Sequence, residues 1–168
     1  MQSFFFQITK TLHDEHMHAT SVLERMELLF NQFNRDEKPD YTSPDVSKLL
    51  GDVSALIDVD LKIHFAFEED RLFPLLADEG ETSMGDLLID DHKEITPIGL
   101  SLGEATKTAR ANGFTFESWD NYRKLGSEFV ERLLSHIEKE EVGLGPMLED
   151  LLDEEQDREL SMEYAGLH

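Results

Sequence analysis

Cysteine is absent from the chain. Disulfides, thiolate metal ligands, cysteine-ligated iron-sulfur clusters and cysteine nucleophiles are therefore excluded within it, and any metal must be held by nitrogen and oxygen. Basic residues are scarce, 15 Lys and Arg against 37 Asp and Glu, for a formal charge of -22. That imbalance repels phosphate backbones and anionic lipid, and no local basic patch offsets it, so neither nucleic-acid binding nor membrane anchoring is expected. Long apolar runs are missing too. No segment approaches the ~18 uninterrupted apolar residues of a membrane span, and the start, Met1 to Gln7, lacks the basic flank and long apolar run of a leader. A soluble cytoplasmic protein is the expectation. There is also no Gly-rich phosphate loop, strand alternation or repeat. The 168 residues suffice for one domain with a substantial core.

What is present is helical periodicity. Leu12, His16, Ala19, Leu23, Met26, Phe30 and Phe33 alternate steps of four and three, one inward stripe. Thr11 with Asp14 predicts a capping box, so this helix should start at Thr9 to Thr11, with Phe4, Phe5, Phe6 and Ile8 forming an apolar arm across a bundle end or in an interface. Residues 34–44 read as a loop with Ser43 or Thr42 as cap and Pro44 at the first helical position. The second stripe is Leu50, Val53, Ile57, Leu61, His64, Glu68, Leu72 and Leu75 or Leu76, with a kink expected at Pro74. The third is Met84, Leu88, His92, Ile95, Gly99, Leu102 and Thr106. Pro97 predicts a kink or an opened turn just past His92, and Thr96, Gly99 and Gly103 should leave room beside it. After the Asn112-Gly113 turn, Ser118 is the expected cap of a fourth helix with stripe Tyr122, Gly126, Phe129, Leu133, His136 and Glu140. Beyond Gly143 and Gly145-Pro146, Met147 to about Met162 fits a short acidic helix using Leu148, Leu151, Leu152 and Leu160, or a partly disordered tail. The expected fold is all-α, an up-and-down four-helix bundle with its core at about 11–142 and an acidic extension at 147–168, all within one domain, 1–168.

Six ionisable residues fall inside these stripes: His16, His64, Glu68, His92, His136 and Glu140. His64-x-x-x-Glu68 and His136-x-x-x-Glu140 each place an imidazole and a carboxylate one turn apart on one helical face. A single such turn is common in acidic helical proteins. Six buried ionisable groups are not, because leaving them unpaired would cost several kcal/mol each. Four imidazoles and two carboxylates suit two divalent or trivalent ions held by terminal nitrogens and bridging oxygens in a bundle core. Iron accepts that mixed shell, and manganese or zinc can replace it. On the first helix His16 lies on the stripe and His13, one turn earlier, is the alternative. Glu69 and Glu141 point about 100° away from their neighbours Glu68 and Glu140, as solvated groups or as carboxylates that orient an imidazole. Tyr122, Thr96 and Glu15 are either structural or groups near the pocket.

The ordered set Asp14-Glu15-His16, His64-Phe65-x-x-Glu68-Glu69 with Phe73-Pro74, Asp91-His92 and His136-Ile137-x-x-Glu140-Glu141 resembles the hemerythrin-like family of HHE cation-binding domains over nearly all of 11–142. The resemblance implies a four-helix bundle with a non-haem di-iron centre. Oxygen-carrying members have a second histidine one turn after the third-helix ligand, where this chain has Thr96. They also have an aspartate five residues after the fourth-helix histidine, where this chain has Glu140 at a spacing of four. The arrangement of four histidines and two glutamates is similar to that of the family's iron-sulfur-cluster repair proteins and other bacterial members. The resemblance implies that Glu68 and Glu140 bridge two irons, that the four histidines are terminal ligands, and that a small ligand, oxygen, nitric oxide or peroxide, binds beside Thr96 and Gly99. The alternative expectation is iron or oxygen sensing, or iron storage and delivery, without turnover. The protein is expected to be a monomer or homodimer.

Overall fold

The computed structural model describes residues 3–34 and 36–168; Met1, Gln2 and Arg35 lie outside the described residues, and with them part of the reading of the start and one position of the 34–44 loop. Helix α1 (Gln7–Gln32) is followed by a second rod in five pieces: α2 (Pro44–Leu56), a π-helical stretch (Ile57–His64), α3 (Phe65–Phe67), a second π-helical stretch (Glu68–Leu72) and α4 (Phe73–Asp78). The third rod is α5 (Ser83–Asn112). The fourth is α6 (Phe116–Lys139), a third π-helical stretch (Glu140–Leu144) and α7 (Gly145–Leu151), after which α8 (Glu154–Ala165) packs on α1. Neighbouring contacts run α1 to α2, α2 to α5, α5 to α6 and α6 back to α1, closing the four-helix bundle. No helix among the described residues is long and apolar enough to cross a membrane.

The second and third π-helical stretches have a local cause, which the first, Ile57–His64, does not share because no proline follows it closely. Pro74 and Pro146 each stand six residues after an inward glutamate, Glu68 and Glu140. A proline ring clashes with the carbonyl four residues back and donates no hydrogen bond. Widening the turn before it resolves the conflict: the Phe73 N–H reaches the Glu68 carbonyl and the Gly145 N–H reaches the Glu140 carbonyl, both five residues back. The expected disturbance at Pro74 is therefore an opened turn starting at the glutamate itself. The opened turn expected at Pro97 does not form, and α5 is α-helical throughout. Pro97 leaves the Lys93 carbonyl without its intrahelical donor and is exposed, as Pro74 is.

Two other expectations are corrected, and one alternative is decided. The first helix begins at Gln7, not at Thr9 to Thr11, because its N-terminal amides are capped from far along the chain. Glu149 Oε1 accepts from the Phe5 and Phe6 N–H groups (2.7 and 3.2 Å), and Asp157 accepts from Gln7 and Ile8 (3.0 and 2.8 Å). Thr11 instead accepts from the Gln7 side-chain amide. The cap of α6 is Thr115, with Ser118 as the reciprocal partner three residues on. Of the two readings of the acidic extension the helical one holds, as α7 and α8 separated at Leu152 by a capping box of Asp153 and Gln156. Leu148, Leu152, Leu160 and Tyr164 are buried there with Ile8, Leu12, Leu72, Leu76 and Leu88.

The core has two apolar parts. One surrounds Met26, Phe30, Leu102, Trp119 and Phe129; the other contains the residues just named from α7 and α8. Each inward histidine lies in sequence between members of the two, as His92 does between Leu88 and Ile95. The polar groups therefore occupy a layer between two apolar ones.

Candidate metal centre

All six inward ionisable residues are buried, and Glu68 is fully so. They gather into two groups that share one carboxylate: Glu68, His92, His136 and Glu140 on one side, His16, His64 and Glu140 on the other. Glu140 divides its oxygens between them. Its Oε1 is 2.6 Å from His136 Nε2, and its Oε2 is 2.6 Å from His16 Nε2 and 3.6 Å from His64 Nε2. Glu68 Oε1 lies 3.6 Å from His64 Nε2 and 3.4 Å from His92 Nε2. His13 is not in either group; half-buried, it contacts Glu141.

The orientation of each imidazole is fixed from behind by a carboxylate of a different helix. His64 Nδ1–H donates to Glu15 (3.1 Å), His92 Nδ1–H to Glu69 (3.2 Å), His136 Nδ1–H to Asp91 (3.1 Å) and His16 Nδ1–H to Glu141 (2.6 Å). These four bonds form a closed ring. The first rod supplies an acid to the histidine of the second, the second to the third, the third to the fourth and the fourth to the first. Geometry explains the order, since each acid is adjacent in sequence to an inward residue and so points about 100° around the helix, toward the next rod. Phe65 adds a second constraint by stacking on His92, with ring centroids 3.8 Å apart and planes 7° from parallel.

Because Nδ1 of each ring donates, a neutral ring presents its Nε2 lone pair to the centre. His92 Nε2 and His136 Nε2 face one another at 3.2 Å. Two lone pairs at that separation repel unless a proton or a metal ion accepts them. The oxygens of Glu68 and Glu140 are buried with no partner in hydrogen-bond geometry, although nitrogens lie as close as 2.6 Å. Short N to O separations without hydrogen-bond alignment are what donors converging on a common cation produce, and nitrogen and carboxylate oxygen are the donors that iron, manganese and zinc accept. The residues present therefore fit a pair of metal ions.

Electrostatics point the same way. Burial alone would lower the His16 imidazole, yet the Glu140 and Glu141 carboxylates raise it to about 9. His64 and His136 are also raised against their burial, by Glu68 and by Glu140 respectively. Burial would push Glu140 up, but His136 and His16 hold it well below the ordinary carboxylate range. Without metal, protons on these rings supply the positive charge that the buried carboxylates require.

The space expected beside Gly99 is closed. A Cβ built there would lie 2.6 Å from Leu61 Cδ1 and 3.1 Å from Phe129 Cε1, so Gly99 is small because these side chains fill its place. Tyr122 lies in the other apolar part, where its hydroxyl meets that of Thr106 (2.9 Å) beneath Trp119. A cavity of about 10 Å³ does adjoin the centre, at His16 and Glu140, walled by Leu12, Leu144 and Leu148 and covered by Phe4.

The supporting groups were only partly visible in the sequence. Glu15, Glu69 and Glu141 could be recognised as candidates because each adjoins an inward residue. Asp91, adjoining His92, carries the same signal. The buried Asp60, four residues before His64, and Tyr164 on α8, four residues after Leu160 and a donor to Glu15, carried a spacing signal that the stripes did not absorb. A family model described as the Hemerythrin HHE cation binding domain matches residues 7–148. No curated protein matches the chain.

Proposed function

The chain belongs to the hemerythrin HHE cation-binding domain family, and from that premise we propose that it holds two non-haem iron ions and binds or reacts with a small ligand, namely oxygen, nitric oxide or peroxide. The supporting observation is the convergence of four Nε2 atoms on two buried carboxylates that have no hydrogen-bond partner. His92 and His136 would hold one ion and His16 and His64 the other, with Glu140 shared between them and Glu68 beside both. Bound iron would supply redox capacity and Lewis acidity; manganese or zinc could occupy the same donors.

The protein's own contribution is positioning. The carboxylate ring keeps each histidine in the tautomer that offers Nε2, and the apolar layers on either side keep bulk water away. The cavity at His16 and Glu140 has room for about one water. We read residues 1–168 as one unit, because α7 and α8 bury their apolar residues in the same core as α1.

The test is anaerobic purification with metal analysis and absorption spectra before and after air, in wild type, Glu68→Ala and Glu140→Ala. About two irons per wild-type chain, with an oxidation-dependent absorption band lost in either variant, is the expected result. Less than one ion per chain, or zinc without spectral change, would remove the redox reading. The link from His64 through Glu15 to Tyr164 on α8 favours a second reading, in which the centre senses iron or oxygen, or stores and delivers iron, without turnover. Rapid multiple turnover with peroxide or nitric oxide decides between the two.

A further inference from the structure

The four carboxylates behind the imidazoles differ in what holds them in turn. Asp91 is gripped by the Lys139 ammonium, which donates to both oxygens (3.1 and 2.8 Å). Glu141 is shared with His13 (2.8 Å). Glu69, the most exposed of the four, has no bond beyond His92 among the described residues. Glu15 is held by α8: the Tyr164 hydroxyl donates to Oε2, the same oxygen that accepts from His64, and His168 Nε2 lies 3.3 Å from Oε1.

Helix α8 lies beyond residues 7–148, the part of the chain that the family model matches. Tyr164 is nevertheless among the most deeply buried large side chains, with its ring against Phe67 and edge-on to His64. Its position is secured at both ends of the helix. Asp157 on the first turn caps α1, and Leu160 packs in the apolar layer below the centre. A phenol buried against a carboxylate has a single favourable use for its proton, donation to that carboxylate.

We propose that Tyr164 is a positioning residue of the metal centre, by which α8 fixes Glu15, and through it His64, and so sets the affinity of the His16 and His64 half for its ion. This rests on the two-ion reading above. Coupling between two equilibria is reciprocal, so an ion on that half also holds α8 in place. The four-helix part of the molecule and its extension are thereby one cooperative unit, linked through three side chains, Tyr164, Glu15 and His64.

The test uses the full chain in crystals or frozen solution at limiting metal, with anomalous scattering to measure occupancy at each position separately. Tyr164→Phe removes one oxygen and keeps the ring. It should lower affinity at the His16 and His64 position by about tenfold, the effect expected of losing a partner behind a ligand, and leave the His92 and His136 position unchanged. Lys139→Met, which frees Asp91, should give the opposite selectivity. If Tyr164→Phe does not fold, Glu15→Gln removes the charge at the middle of the link and should show the same one-sided loss. Amide exchange across 154–165 supplies a second readout, slowed by metal in the wild type and insensitive to metal in Tyr164→Phe. Two ions in the wild type with equal occupancies in every variant, or a loss spread evenly over both positions, overturns this inference alone. No ion in the wild type overturns the two-ion reading and this inference with it.

Discussion

In the half of the bundle that contains Met26, Phe30, Leu102, Trp119 and Phe129, the inward positions are apolar, with the Thr106 and Tyr122 hydroxyls satisfying one another. In the half that contains the histidines, six ionisable groups face inward, and the second and fourth rods open into π-helical turns beginning at the two glutamates. The same four stripes run through both. The difference shows how the work is divided: the apolar half can stabilise the fold without any ion, whereas the polar half needs positive charge from protons or metal. Substitution in the first half should therefore change stability without changing metal content. Phe129, fully buried, is the sharpest case. Phe129→Ala should cost about 3–5 kcal/mol in denaturant unfolding while the folded fraction retains its metal stoichiometry. A matching loss of metal would break the division.

The polar half should respond to pH in a way that the apolar half does not. His16 is raised to about 9 in the folded, metal-free protein, from an ordinary value of 6.5. A raised histidine binds its proton more tightly in the native state, so its contribution is fully present below about 6.5 and is lost as pH rises through 9. The metal-free protein should lose on the order of 3 kcal/mol across that window. His64 and His136 shift in the same direction and add to the loss. With metal bound the rings have no proton to lose, and the decline should vanish. Phe129→Ala should be less stable at every pH but keep the same slope. A flat profile in the metal-free protein would show that protons do not replace the ions.

The two halves also differ in how much of them could be read from the residues. The stripes place Leu23, Val53, Leu102 and Phe129 in the apolar half and His16, His64, His92 and His136 in the other, because a period of 3.6 residues is a local property. Glu15, Glu69 and Glu141 follow from adjacency to those positions. The caps on α1 did not, since Glu149 and Asp157 come from more than 140 positions away and no local spacing encodes them. The bond from Tyr164 to Glu15 escaped for the same reason. Pro74 and Pro146 stand just past two of the three opened turns, but Pro97 carries the same local signal and opens nothing, and no proline marks the stretch Ile57–His64.

Asp60 tests the comparison at smaller scale. It is buried one turn before His64 with no ligand role, and burial raises its carboxyl to about 6 against the opposing pull of His64 and His16. A raised carboxyl favours the native state only when protonated, so its penalty is absent below about 4, grows between about 4 and 6 and is complete above 6. Asp60→Asn should therefore stabilise the metal-free protein by roughly 1–3 kcal/mol at neutral pH and by nothing measurable near pH 4. Equal stabilisation at both pH values would mean that Asp60 is penalised by packing and not by its charge.

The smallest contrast lies in the helix starts. At the apolar end α6 is capped by its own Thr115 and Ser118, three residues apart. At the metal end α1 is capped by Asp157, from a helix that must itself be docked. Each substitution, Thr115→Ala or Asp157→Ala, should cost about 1 kcal/mol in global unfolding. Amide exchange separates them. Thr115→Ala should release only the first turn of α6, because its cap is local. Asp157→Ala should release the Gln7 and Ile8 amides together with those of α8, because the carboxylate joins two elements whose order depends on each other. If exchange in α8 were unchanged in Asp157→Ala, the extension would be held by its apolar residues alone, and the metal end would be as locally determined as the apolar one.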